Sequence, residues 1–276
     1  MQQARALRLS ARLFDAAAMA AAVSRTRGRW IHASSSLEMP LPSRPDVSKN
    51  ISRMNMPPEG QQQKSEQKSK IDEWLNPPPP PTELLQRMKF KLSDACSMTI
   101  YYGDISKWNV DGLNDAIVAP ANKRLNAGAA VDGVIHKAAG PRLLSACQKL
   151  PDVAPLGIKC NVGEAVSTRA YNLLVSRVIH TVGPVFEGKE SDPVLEQTYK
   201  SALALGLKEN IKFICFPALS CRIYGYPYSE GAEVAIKTVK ENFQGYAQVD
   251  FAIRNIEGYE CWIDEAFKHF TEIKQK

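Results

Sequence analysis

The chain has 276 residues, 44% of them hydrophobic and 23% charged, with a formal net charge of +6. That length supports one or two domains with a full core, and the ordinary composition excludes wholesale disorder, collagen and coiled coil. No apolar run approaches the ~20 residues that a bilayer-spanning helix needs, so no membrane span is expected.

The charge is unevenly placed. Residues 1–37 hold Arg5, Arg8, Arg12, Arg25, Arg27 and Arg29 against Asp15, so +5 lies there and the other 239 residues carry +1. A nearly neutral body offers no nucleic-acid stripe and no membrane-surface patch. The opening segment is rich in Arg, Ala and Ser and poor in acids. Leu7, Leu13, Phe14 and Met19 give it apolar bulk beside the arginines. Residues 1–37 therefore read as an organelle transit peptide, mitochondrial or plastid, with a cytosolic tail as the alternative. Residues 38–81 are rich in Pro, Ser, Gln and Lys. They lack the apolar content to offset backbone ordering, and read as a disordered linker. Pro77–Pro81 suits a polyproline II rod, either a stiff spacer or an SH3 or WW ligand.

Residues 82–276 alternate helical and strand patterns. Thr82–Phe90 reads as a short helix capped by Thr82. Met98–Tyr102 and the buried run Asp115–Ala119 read as strands. Asp132–Ala139 and Pro141–Leu150 read as helices, with Pro141 suited to a first turn. Val175–Val182 is a strand pattern, Pro193–Leu207 a helix, Lys212–Phe216 a strand, Tyr228–Phe243 a helix, Val249–Ile253 a strand and Trp262–Phe270 a closing helix. Helices between short apolar strands predict a layered α/β domain. Six widely spaced cysteines without a CxxC pair, and only four His, point to buried reduced thiols rather than a disulfide framework or a zinc module.

In such sheets ligands lie beyond the carboxyl ends of strands. Four segments occupy those positions: Gly103–Ile105, Pro120–Gly133, Cys160–Ala165 and Pro217–Pro227. Each has an ordinary explanation as a turn or a cap. The last, however, opens a helix, whose free N–H groups and positive end suit phosphate oxygens. Taken together, GDI, DAIVxxAN, a small-residue loop ending in VDGxIHxAAGP, CxxGEA, VIHTVGP and SCxIYGYP resemble, in order and spacing, the macro domain, an ADP-ribose-binding family. The likeness is strongest to its MacroD-type branch as found in plants, and covers about residues 90–270.

The resemblance implies a three-layer α/β/α fold with a central mixed sheet of six or seven strands. It implies no cofactor and no metal, and as partner ADP-ribose or a mono-ADP-ribosylated protein. Position by position, Asp104 and the Ile105 backbone correspond to the adenine contact, and Asn122 to the distal ribose contact. Ala127, Gly128, Ala129 and Ala130 correspond to the loop around that ribose. Ser220, Cys221, Arg222, Ile223, Tyr224 and Gly225 correspond to the loop around the diphosphate, with Tyr224 packed on the ribose. Asp132 corresponds to the residue that activates water in hydrolase members. As a carboxylate at a helix start it is expected to have a low pKa. His136, four residues on, faces the same site or is a satisfied buried histidine; His180 reads as structural.

Four departures fall on these loops. The family's run of glycines is here Ala127-Gly128-Ala129-Ala130, and an alanine in a left-handed conformation costs ~1–2 kcal/mol. Arg222 stands where glycine is usual. Arg254-Asn255-Ile256 replaces an apolar or aromatic segment near adenine, and Ala119-Pro120-Ala121-Asn122 keeps only the later Asn of the usual pair. Three readings follow: a hydrolase of mono-ADP-ribose or O-acetyl-ADP-ribose, a non-catalytic reader of ADP-ribose, and a degenerate domain without nucleotide binding.

Overall fold

Side-chain alternation across one sheet organises the protein, a computed structural model of which describes residues 87–274. In chain order these form β1 (Met88–Lys91), β2 (Ser97–Tyr102), β3 (Asp115–Pro120), α1 (Ala130–Ala139), α2 (Pro141–Lys149), β4 (Ala165–Arg169), β5 (Arg177–Thr181), α3 (Asp192–Lys208), β6 (Phe213–Phe216), α4 (Tyr228–Asn242), β7 (Gln248–Ile253), α5 (Ile256–His269) and β8 (Thr271–Glu272). The segments assigned to residues 1–37 and 38–81, and the expected Thr82 cap, lie outside the described residues.

The sheet order is β4-β5-β3-β6-β7-β2-β1-β8. The five central strands, β5 to β2, run parallel, while β4, β1 and β8 pair antiparallel at the edges. Both faces are covered, as a parallel sheet requires. Ala116, Val118, Ile214, Phe216, Val249 and Phe251 point to one face and join Leu195, Tyr199, Ala235 and Trp262 of α3, α4 and α5. Ile117, Ala119, Cys215 and Ala252 alternate to the other and join Ile135, Leu143 and Cys147 of α1 and α2. This is the α/β/α layering expected, with eight strands in place of six or seven. Five of the six cysteines are buried, and Cys261 is partly so.

Two element boundaries differ from the sequence reading. Residues 88–90, expected at the end of a helix, are strand: Phe90 is fully buried and Met88–Lys91 pairs with Ser97–Ile100. Cross-strand pairing and burial outweigh local helix propensity there. The last helix begins at Ile256, six residues before the expected Trp262. Asn255 is its N-cap, its Oδ1 accepting from Gly258 N at 2.8 Å.

Buried carboxylates tie the strands to their loops. Asp115 is fully buried; its Oδ2 accepts from Val110 N, Asp111 N and Gly112 N at 2.9, 3.2 and 2.9 Å, and its Oδ1 from Ser176 N at 3.0 Å. Asp250 accepts from Thr99 N, Trp108 Nε1 and Gln248 Nε2, joining β7 to β2. Asp115→Asn swaps one acceptor for a donor aimed at N–H groups. It should lower unfolding free energy by about 2–3 kcal/mol in chemical denaturation. A loss under about 0.5 kcal/mol would contradict this account of the carboxylate.

Candidate active site

The parallel strands aim their carboxyl ends at one cleft. β2 ends at Tyr102, and after Gly103, Asp104 caps a single 3-10 turn, Ile105–Lys107, by accepting from Ser106 N and Ser106 Oγ at 3.0 and 2.8 Å. Both bonds use Oδ1. Asp104 and Ile105 line the cleft with Ala130, Val131 and Val134 of α1, Pro217 and Arg222 after β6, Tyr228 of α4, and Arg254 after β7. Asp104 is the only carboxylate in this lining, which it shares with two guanidiniums. Such a cleft suits an anionic ligand that also carries a hydrogen-bond donor at the Asp104 end. Its free room is about 50 Å³.

The segment from Pro217 to Pro227 is held from below. Tyr226 N donates to Ser220 O at 3.0 Å, Gly225 N to Arg222 O at 3.1 Å, and Phe186 N to Tyr224 O at 2.9 Å. The Tyr226 hydroxyl donates to Asp192. Cys221 is buried, its thiol on Leu219 O. Ser220 sits at φ +62° with a buried Oγ that has no hydrogen bond among the described residues. Pro227 precedes α4 and supplies no side-chain cap, so no side chain occupies the cap position of the helix's first N–H groups. Burial pushes the Tyr228 hydroxyl up to about 12 against the pull of Arg222, so it stays a neutral donor.

The loop from Ala121 to Ala129 folds over the start of α1. The Asn122 amide pins it: Nδ2 donates to Asn126 O at 2.7 Å, while Oδ1 accepts from Arg124 N and Asn126 N at 3.1 and 3.4 Å. Asp132 lies in the first turn of α1, which starts at Ala130 rather than Asp132. Its Oδ2 accepts from Gly128 N at 2.6 Å. A Cβ on Gly128 would meet that oxygen at 2.9 Å, and a Cβ on Gly133 would meet Gly128 O at 2.7 Å. These two glycines let the loop lie directly on the helix. Ala130 carries the strain expected of the alanine-substituted loop, at φ +55°, whereas Ala129 is extended at φ −96°.

Asp132 is only 3% exposed, and its Oδ1 has no hydrogen bond, standing 3.6 Å from His136 Nε2. Burial raises its carboxyl above the usual 3.8, against the opposing pulls of Gly128 N–H and His136. The low pKa expected from its helix position is therefore corrected: loss of hydration outweighs the helix end. His136 is buried behind it. Deeper still, His180 Nε2 meets Thr168 Oγ1 at 2.9 Å and Cys147 Sγ at 3.6 Å. Burial and the neighbouring His136 push His180 down to about 3, so it is a neutral structural residue. Among the described residues, His136, Cys147 and His180 alone bring three potential metal-ligand atoms within 4.8 Å of one another. His180 Nε2 is already engaged, by Thr168 and Cys147.

Of the expected site residues, Asp104, Ile105, Ala130 and Arg222 line the cleft. Asp132 and His136 lie beneath the loop, with Ala127, Gly128 and Ala129 exposed above them. Ser220 and Cys221 are buried at the foot of the second loop, Ile223 and Gly225 are exposed at its crest, and Tyr224 is half-buried. Sequence reasoning missed Val134 and Tyr228. Val134 stands one helical turn after Ala130 and so shares its face. Tyr228 opens the helix that follows the second loop.

Two stability measurements test this geometry. Ala130→Gly should raise unfolding free energy, by up to about 1 kcal/mol, by relieving the left-handed strain; a lower value would contradict it. Asp132→Asn keeps the acceptor for Gly128 N–H. A folded carboxyl raised above 3.8 contributes stability at low pH that is lost as pH rises through the folded pKa. The Asn variant should therefore melt above wild type at neutral pH, with the gap closing as pH falls toward 3.8. A gap that widens on acidification would contradict the burial argument.

Residues 118–235 match the family model of the macro domain. An O-acetyl-ADP-ribose deacetylase of Salmonella gallinarum is 43% identical over 152 residues, 54% of this chain and 81% of the relative. A macrodomain of Oceanobacillus iheyensis, solved with ADP, superposes with a TM-score of 0.61 at 30% identity, over 67% of this chain and 96% of that one. A Trypanosoma brucei macrodomain, solved in complex with ADP-ribose, superposes with a TM-score of 0.54 at 30% identity, over 70% and 85% of the two chains. The eight-stranded sheet, the cleft at its carboxyl ends and these likenesses agree: the chain belongs to the macro domain family.

Proposed function

We propose that the chain binds ADP-ribose in the cleft and hydrolyses esters on its distal ribose, as a MacroD-type, plant-like member of the family. The two substrate types, O-acetyl-ADP-ribose and mono-ADP-ribose on acidic side chains, share one bond: a carboxylic ester to a ribose oxygen. Asp104 receives the adenine amino group, the backbone from Ser220 to Gly225 and Arg222 hold the diphosphate, and the loop around Gly128 holds the ribose. Water attached to Asp132 attacks the acyl carbon. The acyl–oxygen bond to ribose breaks, the carboxylate product leaves, and the proton taken by Asp132 passes to the departing ribose oxygen, which becomes a hydroxyl. A carboxyl held above its usual pKa is a better proton acceptor in this role than an ordinary one.

The observation that carries this reading is the buried Asp132, one oxygen fixed by Gly128 N–H and the other without a hydrogen bond, 3.6 Å from His136 Nε2. It stands on the helix whose Ala130, Val131 and Val134 line the same cleft as Asp104. A buried carboxylate oxygen without a hydrogen bond costs stability and persists where chemistry uses it. The reader function is favoured by one observation, the strained Ala130 on the cleft wall. From composition alone, residues 1–37 are proposed as a mitochondrial or plastid transit peptide; a cytosolic signal from a fluorescent fusion of residues 1–60 would count against that.

Calorimetry and turnover on the full chain test the site. Asp104→Ala should weaken ADP-ribose about tenfold to hundredfold, the loss of a charge-assisted bond. Asp132→Asn should leave that affinity within a few-fold and cut O-acetyl-ADP-ribose turnover ~10²–10⁴-fold. A wild type that binds ADP-ribose without turnover identifies a reader, and unchanged turnover in the Asn variant removes Asp132 from the mechanism.

A further inference from the structure

The opposite end of the sheet carries a second concave surface. The amino ends of β3, β5 and β6 and the last residue of β4 surround an open hollow of about 470 Å³. Its walls include Arg142, Arg169 and Arg177, the ring of Tyr171, Leu113 and a single carboxylate, Glu209.

Two of the arginines are held side by side against their mutual repulsion, and the third lines the same hollow. Arg169 and Arg177 are direct cross-strand partners on β4 and β5. Like charges in that position oppose strand pairing. Arg142, in the first turn of α2, lies over Tyr171 with its guanidinium carbon 5.3 Å from the ring centre, and donates to Asn172 Oδ1 at 3.3 Å. Tyr171 is itself held at φ +56°. Glu209 pairs with Arg177 Nε at 3.2 Å and also accepts from Ser167 Oγ. Among the described residues neither Arg142 nor Arg169 has an ion pair, and both are exposed. Three guanidiniums against one acid leave the hollow two charges positive, in a protein whose last 239 residues carry only +1.

The geometry points to a second ligand site, distinct from the ADP-ribose cleft, that binds the phosphate groups of a small diphosphate-bearing molecule. Planar guanidinium forks match phosphate oxygens in pairs, and an anion between Arg142, Arg169 and Arg177 cancels the repulsion that the strand register imposes. Tyr171 and the exposed Leu113 give the remainder of such a ligand an apolar wall.

The test is calorimetric titration of inorganic pyrophosphate into the full chain at fixed ionic strength. The Arg-rich residues 1–37 are the same in every variant, so differences between variants report the hollow. R142Q/R169Q should bind pyrophosphate about tenfold more weakly than wild type or worse, while its ADP-ribose affinity and melting temperature stay near wild type. E209Q removes the competing carboxylate and should bind pyrophosphate more tightly. Superimposable titrations of wild type and R142Q/R169Q, or weaker binding by E209Q, would overturn the assignment.

Discussion

The parallel run of β5, β3, β6, β7 and β2 is the constraint on which the rest of the structure depends. Parallel strands send every loop at their carboxyl ends to one side, so Gly103-Asp104, the Asn122 loop, the Pro217–Pro227 segment and Arg254 converge although they are distant in sequence. That arrangement needs both faces covered and its ladder fixed in register. The alternating core residues meet the first need. Asp115 and Asp250 meet the second by taking backbone and side-chain donors from neighbouring strands and loops.

On this frame, stability and chemistry oppose each other at Asp132. A loop of small residues lies flat on α1 because Gly128 and Gly133 leave room for it. The contact removes water from Asp132 and raises its pKa, with the Gly128 N–H bond to its Oδ2 and the nearby His136 as partial compensation. Ala130 adds backbone strain at the same place. Both costs fall on the segment that the proposed reading assigns to the ribose, and strained backbone clusters at functional sites.

Much of this was legible in the sequence. The runs DAIVA and FICF are nearly unbroken apolar strands because the parallel sheet is buried on both faces, and they were placed within a residue or two. Asp104, Ile105, Ala130 and Arg222, singled out from the motif loops, line one cleft. What escaped depends on contacts between distant segments. MKFK has no strand signal until Phe90 meets the core, and β8 is two residues long. The start of α1 carries no side-chain cap, and its first residue has positive φ, so no local cue announces it. Asn255 caps α5, and the sequence reading, which started the helix at Trp262, assigned it no such role. The direction of the Asp132 shift was misjudged because sequence shows the helix end but not the loop that buries it.

The account rests on an ionised, buried Asp132 acting as the base, and the pH dependence of O-acetyl-ADP-ribose hydrolysis tests it most directly. Turnover by wild type should fall on acidification through a single titration lying above the ordinary 3.8 of an aspartate, and that limb should be missing from the residual rate of Asp132→Asn. An acid limb that persists unchanged in the Asn variant would show that another group carries the proton and contradict the mechanism.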